Sequence, residues 1–293
     1  MEYHTLGHSP IQISRISFGC MSLGKDQSVN SQLIKQAFDQ GINYFDTADL
    51  YDKGWNEKTV GIAIKDFRKE IVLATKVGNQ WKPDGSGWVW NPTKSYILKT
   101  VDASLQRLQT DYIDLYQLHG GTIDDPIDET IEAFERLIEQ GKIRYYGISS
   151  IRPNTIREYV SRSNIVSVMM QYSLLDRRPE ESCLDLLQQH QISVLTRGTI
   201  AKGLLLDKPA TAYLGYSREE VERLQLVLQA TENPTAAALQ YVFRHPAVAS
   251  AVVGMRNLQQ LEDLLTGFQQ QVTVPVLREL AEILLPLRYE VHR

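Results

Sequence analysis

Four residues that could carry out acid–base chemistry stand at or just after the ends of three successive strand-like segments: Asp46, Tyr51, Lys76 and His119. A phenol is a useful proton donor near neutral pH only when its phenolate is stabilised. A neighbouring ammonium provides that stabilisation, and a carboxylate holds the ammonium in place. A histidine beside the phenol can orient and polarise a carbonyl oxygen. Together these groups suit the reduction of a carbonyl by hydride.

A second chemistry fits part of the same set. A lysine near a carboxylate and a tyrosine could be the nucleophile of a Schiff-base lyase or aldolase. That interpretation gives no role to Gln171, Lys208 and Arg256. Trapping with borohydride in the presence of substrate would distinguish the two reactions, because only a Schiff-base enzyme would form a covalent adduct.

The elements that must position these residues alternate along the chain. Amphipathic patterns, among them Ser31–Gln40 and Ile127–Gln140, lie between eight short β-type runs. These runs are Ile16–Gly19, Asn43–Asp46, Ile71–Lys76, Ile113–His119, Ile143–Ser149, Val166–Gln171, Ile192–Thr196 and Val248–Val253. A repeat of roughly 30 residues predicts a (β/α)8 TIM barrel, whose catalytic residues sit at the C-terminal ends of strands. A doubly wound sheet would carry a G-x-G-x-x-G turn, which is absent.

Segments outside the repeat predict further elements. Tyr3–Leu6 and Ile11–Ser14 indicate an N-terminal β-hairpin that covers the bottom of the barrel, and Leu258–Leu265 and Val276–Leu285 indicate extra C-terminal helices. No linker interrupts the sequence, so one domain over residues 1–293 is predicted. The long loop Val77–Asn91 carries Trp81, Trp88 and Trp90, which could line a pocket for apolar aldehydes or pack the loop onto the rim.

Composition excludes several other classes. The net charge of −4 and the pI of about 5.9 argue against nucleic-acid binding. Two cysteines imply no disulfide framework, and the six scattered histidines predict no metal site. No apolar run approaches the ~20 residues of a membrane span, and the first residues show no secretory signal. We expect a cytoplasmic protein, most simply a monomer, with a small-molecule substrate and no nucleic-acid or membrane partner.

Three segments together resemble the signature regions of the aldo-keto reductases. They are Gly41-Ile-Asn-Tyr-Phe-Asp-Thr-Ala-Asp-Leu-Tyr51 followed by Gly54 and Glu57, then Ala74-Thr-Lys76, then Asp111-Tyr-Ile-Asp-Leu-Tyr-Gln-Leu-His119. The resemblance covers essentially the whole chain and is closest to the bacterial branch that also resembles potassium-channel β-subunits.

The resemblance implies a barrel that binds NADPH or NADP+ in extended form. Tyr51 would be the general acid, Lys76 paired with Asp46 would stabilise its phenolate, and His119 would orient the carbonyl substrate. The likeness to channel β-subunits also leaves open a redox-sensing binding subunit with slow turnover, which a steady-state assay with a reactive aldehyde would separate from an enzyme.

The same resemblance implies a set of cofactor contacts at the strand ends. They are Gly19, Cys20, Met21, Asp46, Ser149, Ser150, Gln171, Thr196, Arg197, Gly198, Thr199, Ile200, Lys202, Lys208, Gly254, Arg256, Gln260 and Asp263. The amide of Gln171 would bind the nicotinamide carboxamide, since it offers both a donor and an acceptor. Arg256 would bind the adenosine 2′-phosphate, and Lys208 would meet the pyrophosphate.

Four features depart from the family pattern. Ser150 stands where Asn is common, Leu264 replaces a usual Asn, and the short loop Pro209–Tyr216 implies easier cofactor exchange. Arg197 stands where the family often has an aromatic ring over the nicotinamide. Its guanidinium is either stacked on the nicotinamide, where it would disfavour the oxidised cofactor, or turned outward to the pyrophosphate.

Overall fold

The computed structural model describes residues 1–293. Its twelve strands are β1 (Tyr3–Thr5), β2 (Gln12–Ser14), β3 (Ile16–Gly19), β4 (Tyr44–Asp46), β5 (Val72–Val77), β6 (Asn79–Trp81), β7 (Trp88–Trp90), β8 (Ile113–Leu118), β9 (Ile143–Ser149), β10 (Ser167–Gln171), β11 (Ser193–Arg197) and β12 (Val248–Gly254). Its ten helices are α1 (Gln27–Asp39), α2 (Trp55–Ile64), α3 (Lys94–Leu108), α4 (Ile127–Glu139), α5 (Pro153–Arg162), α6 (Cys183–Gln189), α7 (Arg218–Gln229), α8 (Pro234–Phe243), α9 (Leu258–Gln269) and α10 (Val274–Glu282).

Eight of these strands close into a parallel barrel in the order β3, β4, β5, β8, β9, β10, β11, β12, and β12 pairs with β3 again. The predicted (β/α)8 barrel is therefore confirmed. Every residue of β5 and of β8 is buried, because barrel strands pack side chains inward and against helices on the outside. Parallel strands of this kind align their C-terminal ends at one face of the molecule.

Helix α4 shows how an apolar stripe packs a helix against the barrel. In α4 the buried positions Ile127, Thr130, Phe134 and Leu137 recur every three or four residues. The starts of α1, α7, α8 and α9 are capped by side chains; at α1, Asp26 accepts from two backbone N–H groups. None of the ten helices combines the length and apolar character that a membrane span needs.

The N-terminal hairpin of β1 and β2 closes the lower end of the barrel. Its Leu6 and Ile13 are fully buried and pack against the side chains that fill the barrel interior. Gly7 between the two strands has φ +56°, and a Cβ there would lie 2.2 Å from the Val166 carbonyl oxygen. Only glycine accepts this positive φ and leaves room for the Val166 carbonyl. The predicted hairpin therefore packs closely against the bottom of the barrel.

The segment predicted as a long loop contains a hairpin instead, formed by β6 and β7. The side chain of Trp90 lies over Gly78 and Gly120, where an added Cβ would come within 2.6 and 3.3 Å of its ring. Its Nε1 donates to the Asp125 carboxylate at 3.0 Å. Trp90 therefore packs the hairpin onto the barrel rim, whereas Trp88 is exposed.

Candidate active site

The C-terminal ends of three neighbouring strands bring the predicted acid–base residues together. Asp46 ends β4 and pairs in register with Ala74 of β5, and Lys76 near the end of β5 pairs with Gln117 of β8. His119 follows β8 directly, and its backbone N–H donates to the Val77 carbonyl. The turn after β4 returns Tyr51 to the same place.

Lys76 and Asp46 form a buried ion pair. Lys76 Nζ lies 2.5 Å from Asp46 Oδ2, and their side chains are 1% and 6% exposed. Burial by itself would lower the pKa of the Lys76 ammonium. The Asp46 carboxylate and then Tyr51 raise this pKa by more than burial lowers it, so the net shift is upward. Nζ also donates to the Thr47 carbonyl at 2.7 Å and lies 3.4 Å from the Tyr51 hydroxyl. The Lys76 ammonium therefore faces the phenol.

The ion pair is held by a residue that the sequence analysis did not single out. Gln117 Nε2 donates to Asp46 Oδ1 at 3.1 Å, and Gln117 is fully buried. A signal existed, because alternate residues of a strand share a face, so Gln117 lies on the same side as His119. With Lys76 on one oxygen and Gln117 on the other, the Asp46 carboxylate has one orientation.

His119 stands beside Tyr51 with the ring centroids 5.7 Å apart and the planes 82° from parallel. Burial, then the charges of Lys76 and Arg197, lower the pKa of His119 to about 3. Its imidazole is therefore neutral near pH 7 and carries one N–H donor. His119 Nδ1 is buried without a protein partner.

The backbone after Tyr51 forms a left-handed turn. Asp52, Lys53 and Gly54 have φ values of 48°, 56° and 85°, a region that residues with a Cβ rarely adopt. Lys53 Nζ donates to the Gly85 carbonyl at 3.3 Å and lies 5.1 Å from the centre of the Trp81 ring. These contacts tie the segment that carries Tyr51 to the β6–β7 hairpin.

A second ion pair, between the buried Glu57 and the partly exposed Arg107, supports the same segment from α2. Glu57 is fully buried; its Oε1 accepts from Thr75 Oγ1 at 2.6 Å and its Oε2 from Arg107 Nε at 2.6 Å. Asp49 lies nearby, and burial, then the Glu57 carboxylate, raise the pKa of Asp49 to about 8. Glu57 appeared in the sequence analysis only as a family marker, and the structure gives it a partner on β5 and another on α3.

The predicted cofactor residues surround the same end of the barrel. Gly19 and Gly254 are paired in register at the ends of β3 and β12, where Cys20 is buried and Met21 is exposed. Thr196 and Thr199, both buried, share a hydrogen bond of 2.8 Å between their hydroxyls. These six residues lie at or near the ends of β3, β11 and β12.

Two serines at the end of β9 differ in their surroundings. Ser149 is half-buried and makes no side-chain bond within the protein, so its hydroxyl is free for a ligand. Ser150 is buried, and its Oγ accepts from the Arg152 backbone N–H at 3.2 Å, just before α5. The Ser150 hydroxyl therefore already accepts one hydrogen bond within the turn.

The Arg197 side chain is hydrogen-bonded to Gln171. Its Nη1 donates to Gln171 Oε1 at 3.0 Å, while Gln171 Nε2 donates to the Tyr213 hydroxyl at 3.1 Å. Arg197 is exposed and Gln171 is half-buried. Tyr213 was not among the predicted site residues; it lies in the loop Pro209–Tyr216, far from any recognised motif.

Four cations near the ends of β11 and β12 make no ion pair with an acidic side chain: Arg197, Lys202, Lys208 and Arg256. Arg256 lies just before Asn257, the N-cap residue of α9, whose Oδ1 accepts from the Gln260 N–H at 2.9 Å. Gln260 Oε1 accepts in turn from the Arg256 N–H at 2.8 Å.

An unpaired cation beside a helix N-terminus, as Arg256 is at α9, suits an anionic ligand such as a phosphate. Asp263, one turn further along α9, accepts from Gln259 at 2.8 Å and is exposed. The donor set at this end of the barrel thus fits a phosphate-bearing cofactor.

Comparisons with known proteins identify the family of the chain. The model of the Aldo/keto reductase family matches residues 15–284. An uncharacterized oxidoreductase, YqkF of Bacillus subtilis, is 53% identical over 275 residues, 90% of each chain. An NADH-specific methylglyoxal reductase of Escherichia coli is 34% identical over 225 residues, 70% of this chain and 69% of that protein.

Among solved structures, the holo form of aldo-keto reductase AKR11C1 from Bacillus halodurans is similar with a TM-score of 0.97 and 49% identity, over 100% of this chain and 99% of that one. The sequence relatives are oxidoreductases, and the match extends over the whole barrel that carries Asp46, Tyr51, Lys76 and His119. The chain therefore belongs to the aldo/keto reductase family.

Proposed function

We propose that this protein is an NADPH-dependent reductase of aldehydes and ketones, with Tyr51 as the general acid. The observation that carries the proposal is the buried Lys76 ammonium, which is paired with Asp46 and faces the Tyr51 hydroxyl at 3.4 Å. A bound nicotinamide cofactor would supply the hydride. We further propose that the protein acts as a cytoplasmic monomer on small or aromatic aldehydes.

The chain's own groups divide the proton chemistry between them. The Tyr51 hydroxyl gives its proton to the carbonyl oxygen as negative charge develops there, and Lys76 stabilises the phenolate that remains. Asp46, fixed by Gln117, keeps Lys76 charged and in place. His119, neutral because its pKa is near 3, donates a hydrogen bond to the same oxygen and leaves the role of acid to Tyr51.

The phosphate-binding role rests on the unpaired cations. Arg256 at the start of α9 would take the adenosine 2′-phosphate with a fixed pair of N–H donors. Lys208 and Lys202 would meet the pyrophosphate, and Gln260 and Asp263 would lie at the adenosine end. Ser149, Ser150 and Gln171 would hold the carboxamide. The preference for NADPH over NADH depends on Arg256, and the Escherichia coli relative named NADH-specific makes this the point that needs a direct test.

The remaining predicted contacts would shape the walls of the cofactor cleft. Gly19, Cys20, Met21 and Gly254 would border it at β3 and β12, and Thr196, Gly198, Thr199 and Ile200 would present the backbone after β11. Asp46 would lie at the nicotinamide end. Each of these assignments follows the family resemblance at the matching position.

The alternative of a Schiff-base lyase finds no support in this geometry. A lysine nucleophile must be an uncharged amine, and Asp46 raises the pKa of Lys76 against the effect of burial. A redox-sensing subunit with slow turnover uses the same contacts as an enzyme, so turnover with a reactive aldehyde is what separates the two.

The test is a panel of aldehydes and ketones offered with NADPH and with NADH and followed at the nicotinamide absorbance. We expect oxidation of NADPH with at least one aldehyde and slower oxidation of NADH. The Tyr51→Phe protein, prepared in the same way, controls for contaminating reductases. If no carbonyl compound on a broad panel oxidises either cofactor, the proposal is wrong.

A further inference from the structure

The side-chain amide of Gln171 is held on both sides. Arg197 Nη1 donates to its Oε1 at 3.0 Å, and its Nε2 donates to the Tyr213 hydroxyl at 3.1 Å. A guanidinium can only donate, so the atom that faces Arg197 has to be the amide oxygen. Arg197 therefore determines the orientation of the Gln171 amide. With Oε1 facing Arg197, Nε2 lies on the other side of the amide and donates to the Tyr213 hydroxyl.

This arrangement leaves half of the amide free. A glutamine amide has two N–H donors and two acceptor lone pairs, and Arg197 and Tyr213 use one of each. One N–H and one lone pair remain, which is the complement of a primary carboxamide. Gly198 leaves room for the stem, because a Cβ there would lie 3.3 Å from Gln171 Cγ and its φ is +68°.

Tyr213 is itself fixed by the C-terminal part of the chain. Its turn is closed by two backbone hydrogen bonds with Tyr216, of 3.1 and 3.0 Å. The Tyr216 hydroxyl donates to the Leu285 carbonyl at 2.8 Å, and Gly215 packs so closely on Leu287 that an added Cβ would lie 3.0 Å from it. The acceptor for Gln171 is thus anchored well outside the barrel.

We infer that Arg197 and Tyr213 are positioning residues that orient the Gln171 amide for a ligand with a primary carboxamide. The inference rests on the proposed function, in which that ligand is the nicotinamide end of the cofactor. It gives Arg197 a role in ligand recognition that differs from stacking a ring on the nicotinamide. It also gives the loop Pro209–Tyr216 a part in the site.

The test compares two ligands that differ only at the relevant end. Dissociation constants are measured by calorimetry for NADPH and for 2′-phospho-ADP-ribose, which lacks the nicotinamide. We expect Arg197→Met and Tyr213→Phe each to weaken NADPH about two- to tenfold, the equivalent of one hydrogen bond, and to leave the shorter ligand unchanged. Tyr3→Phe is the matched control, because the Tyr3 hydroxyl donates to Gly41 at the opposite end of the barrel.

A double-mutant cycle distinguishes positioning from a general structural role. In a Gln171→Ala background, Arg197→Met should no longer affect the affinity for NADPH, because the group that it orients is gone. An undiminished effect in that background would overturn the inference. So would equal weakening of both ligands, which would place Arg197 at the pyrophosphate.

The two levels of proposal fail in different ways. If the wild-type protein binds neither NADPH nor NADH, the proposed function is wrong and the positioning role falls with it. If it binds and oxidises NADPH normally while Arg197→Met and Tyr213→Phe leave the affinity unchanged, only the positioning role is wrong. Should NADH bind more tightly, NADH and ADP-ribose form the equivalent pair of ligands.

Discussion

Replacing Asp46 with Asn tests the buried ion pair on which the proposed chemistry depends. The substitution keeps the shape of the side chain and removes its charge, so Lys76 becomes a buried cation without a counter-ion. Removing one partner of a buried pair typically costs about 3–5 kcal/mol. We expect the free energy of unfolding to fall by about that amount at pH 7. We also expect kcat to fall, because the Lys76 ammonium is no longer held in place beside Tyr51 by a carboxylate.

The chain supplies a matched control on its surface. Lys35 and Asp39 also lie 2.5 Å apart, one turn apart on α1, but their side chains are 53% and 45% exposed. An exposed pair of this spacing contributes only about 0.3–0.5 kcal/mol. Asp39→Asn should therefore change stability by less than about 1 kcal/mol, although the distance between the charges is the same. The contrast isolates the effect of burial.

The stability of the Asp46→Asn protein should also depend on pH in a defined direction. Without Asp46, burial lowers the pKa of Lys76 below the ~10.4 of the unfolded chain. Between those two values the unfolded Asp46→Asn protein binds more protons than the folded one, so its stability rises with pH, by at most ~1.4 kcal/mol per unit. The deficit relative to wild type should therefore shrink from pH 8 towards pH 10. Urea unfolding across that range measures it, and a deficit below 1 kcal/mol or one independent of pH would refute the argument.

Three further predictions concern individual side chains. Tyr51→Phe should lower kcat about 10²- to 10⁴-fold and leave the dissociation constant of NADPH within twofold; near-normal turnover would remove Tyr51 from the mechanism. Arg256→Ala should raise the dissociation constant of NADPH roughly ten- to hundredfold, the ~1.5–3 kcal/mol of a charge-assisted bond, and change that of NADH little; equal losses would mean that Arg256 does not read the 2′-phosphate. Because the pKa of His119 is lowered to about 3, the unfolded chain takes up a proton below pH ~6.5 that the folded chain does not. Stability should therefore fall between pH 6.5 and 4, and fall less in His119→Gln; identical pH profiles of unfolding would contradict the buried, neutral imidazole.

The barrel strands could be predicted closely because they are buried on both faces. Parallel strands of this kind form continuous apolar runs, and each observed strand starts and ends within one residue of the predicted one. Helices were harder to delimit: α1 begins at Gln27, four residues before the predicted start, because the only apolar residue of its first turn is the exposed Val29. The cap Asp26 is the remaining mark of that turn. An apolar pattern does not register such a turn.

The β6–β7 hairpin was missed for a different reason. Its strands are three residues long and β7 is largely exposed, so neither alternation nor an apolar run identifies them. The anchoring bond joins Trp90 to Asp125, 35 residues away, and a contact that depends on tertiary packing leaves no local pattern.

The predicted catalytic residues were identified by their place at the ends of strands. The residues that hold functional side chains in position lie elsewhere in the chain. Gln117 lies on the inner face of β8, two residues before His119, and could have been found by counting alternate positions. Tyr213 could not, because its loop has no motif and its position depends on contacts with Tyr216 and the C-terminal segment. The orientation of Arg197 was equally inaccessible, since a long side chain has many rotamers and the packed structure selects among them.

The left-handed turn after Tyr51 has a consequence for protein engineering. Asp52 and Lys53 directly follow Tyr51 and are exposed, which makes them natural targets for a library that alters substrate preference, but their positive φ values restrict what can be encoded there. Glycine and asparagine accept this backbone, whereas valine, isoleucine and threonine oppose it. A randomised codon at either position would therefore produce mostly clones that shift the turn and with it Tyr51. A restricted alphabet of Gly, Asn, Asp and Lys would vary charge and size at the rim and preserve the geometry of the acid.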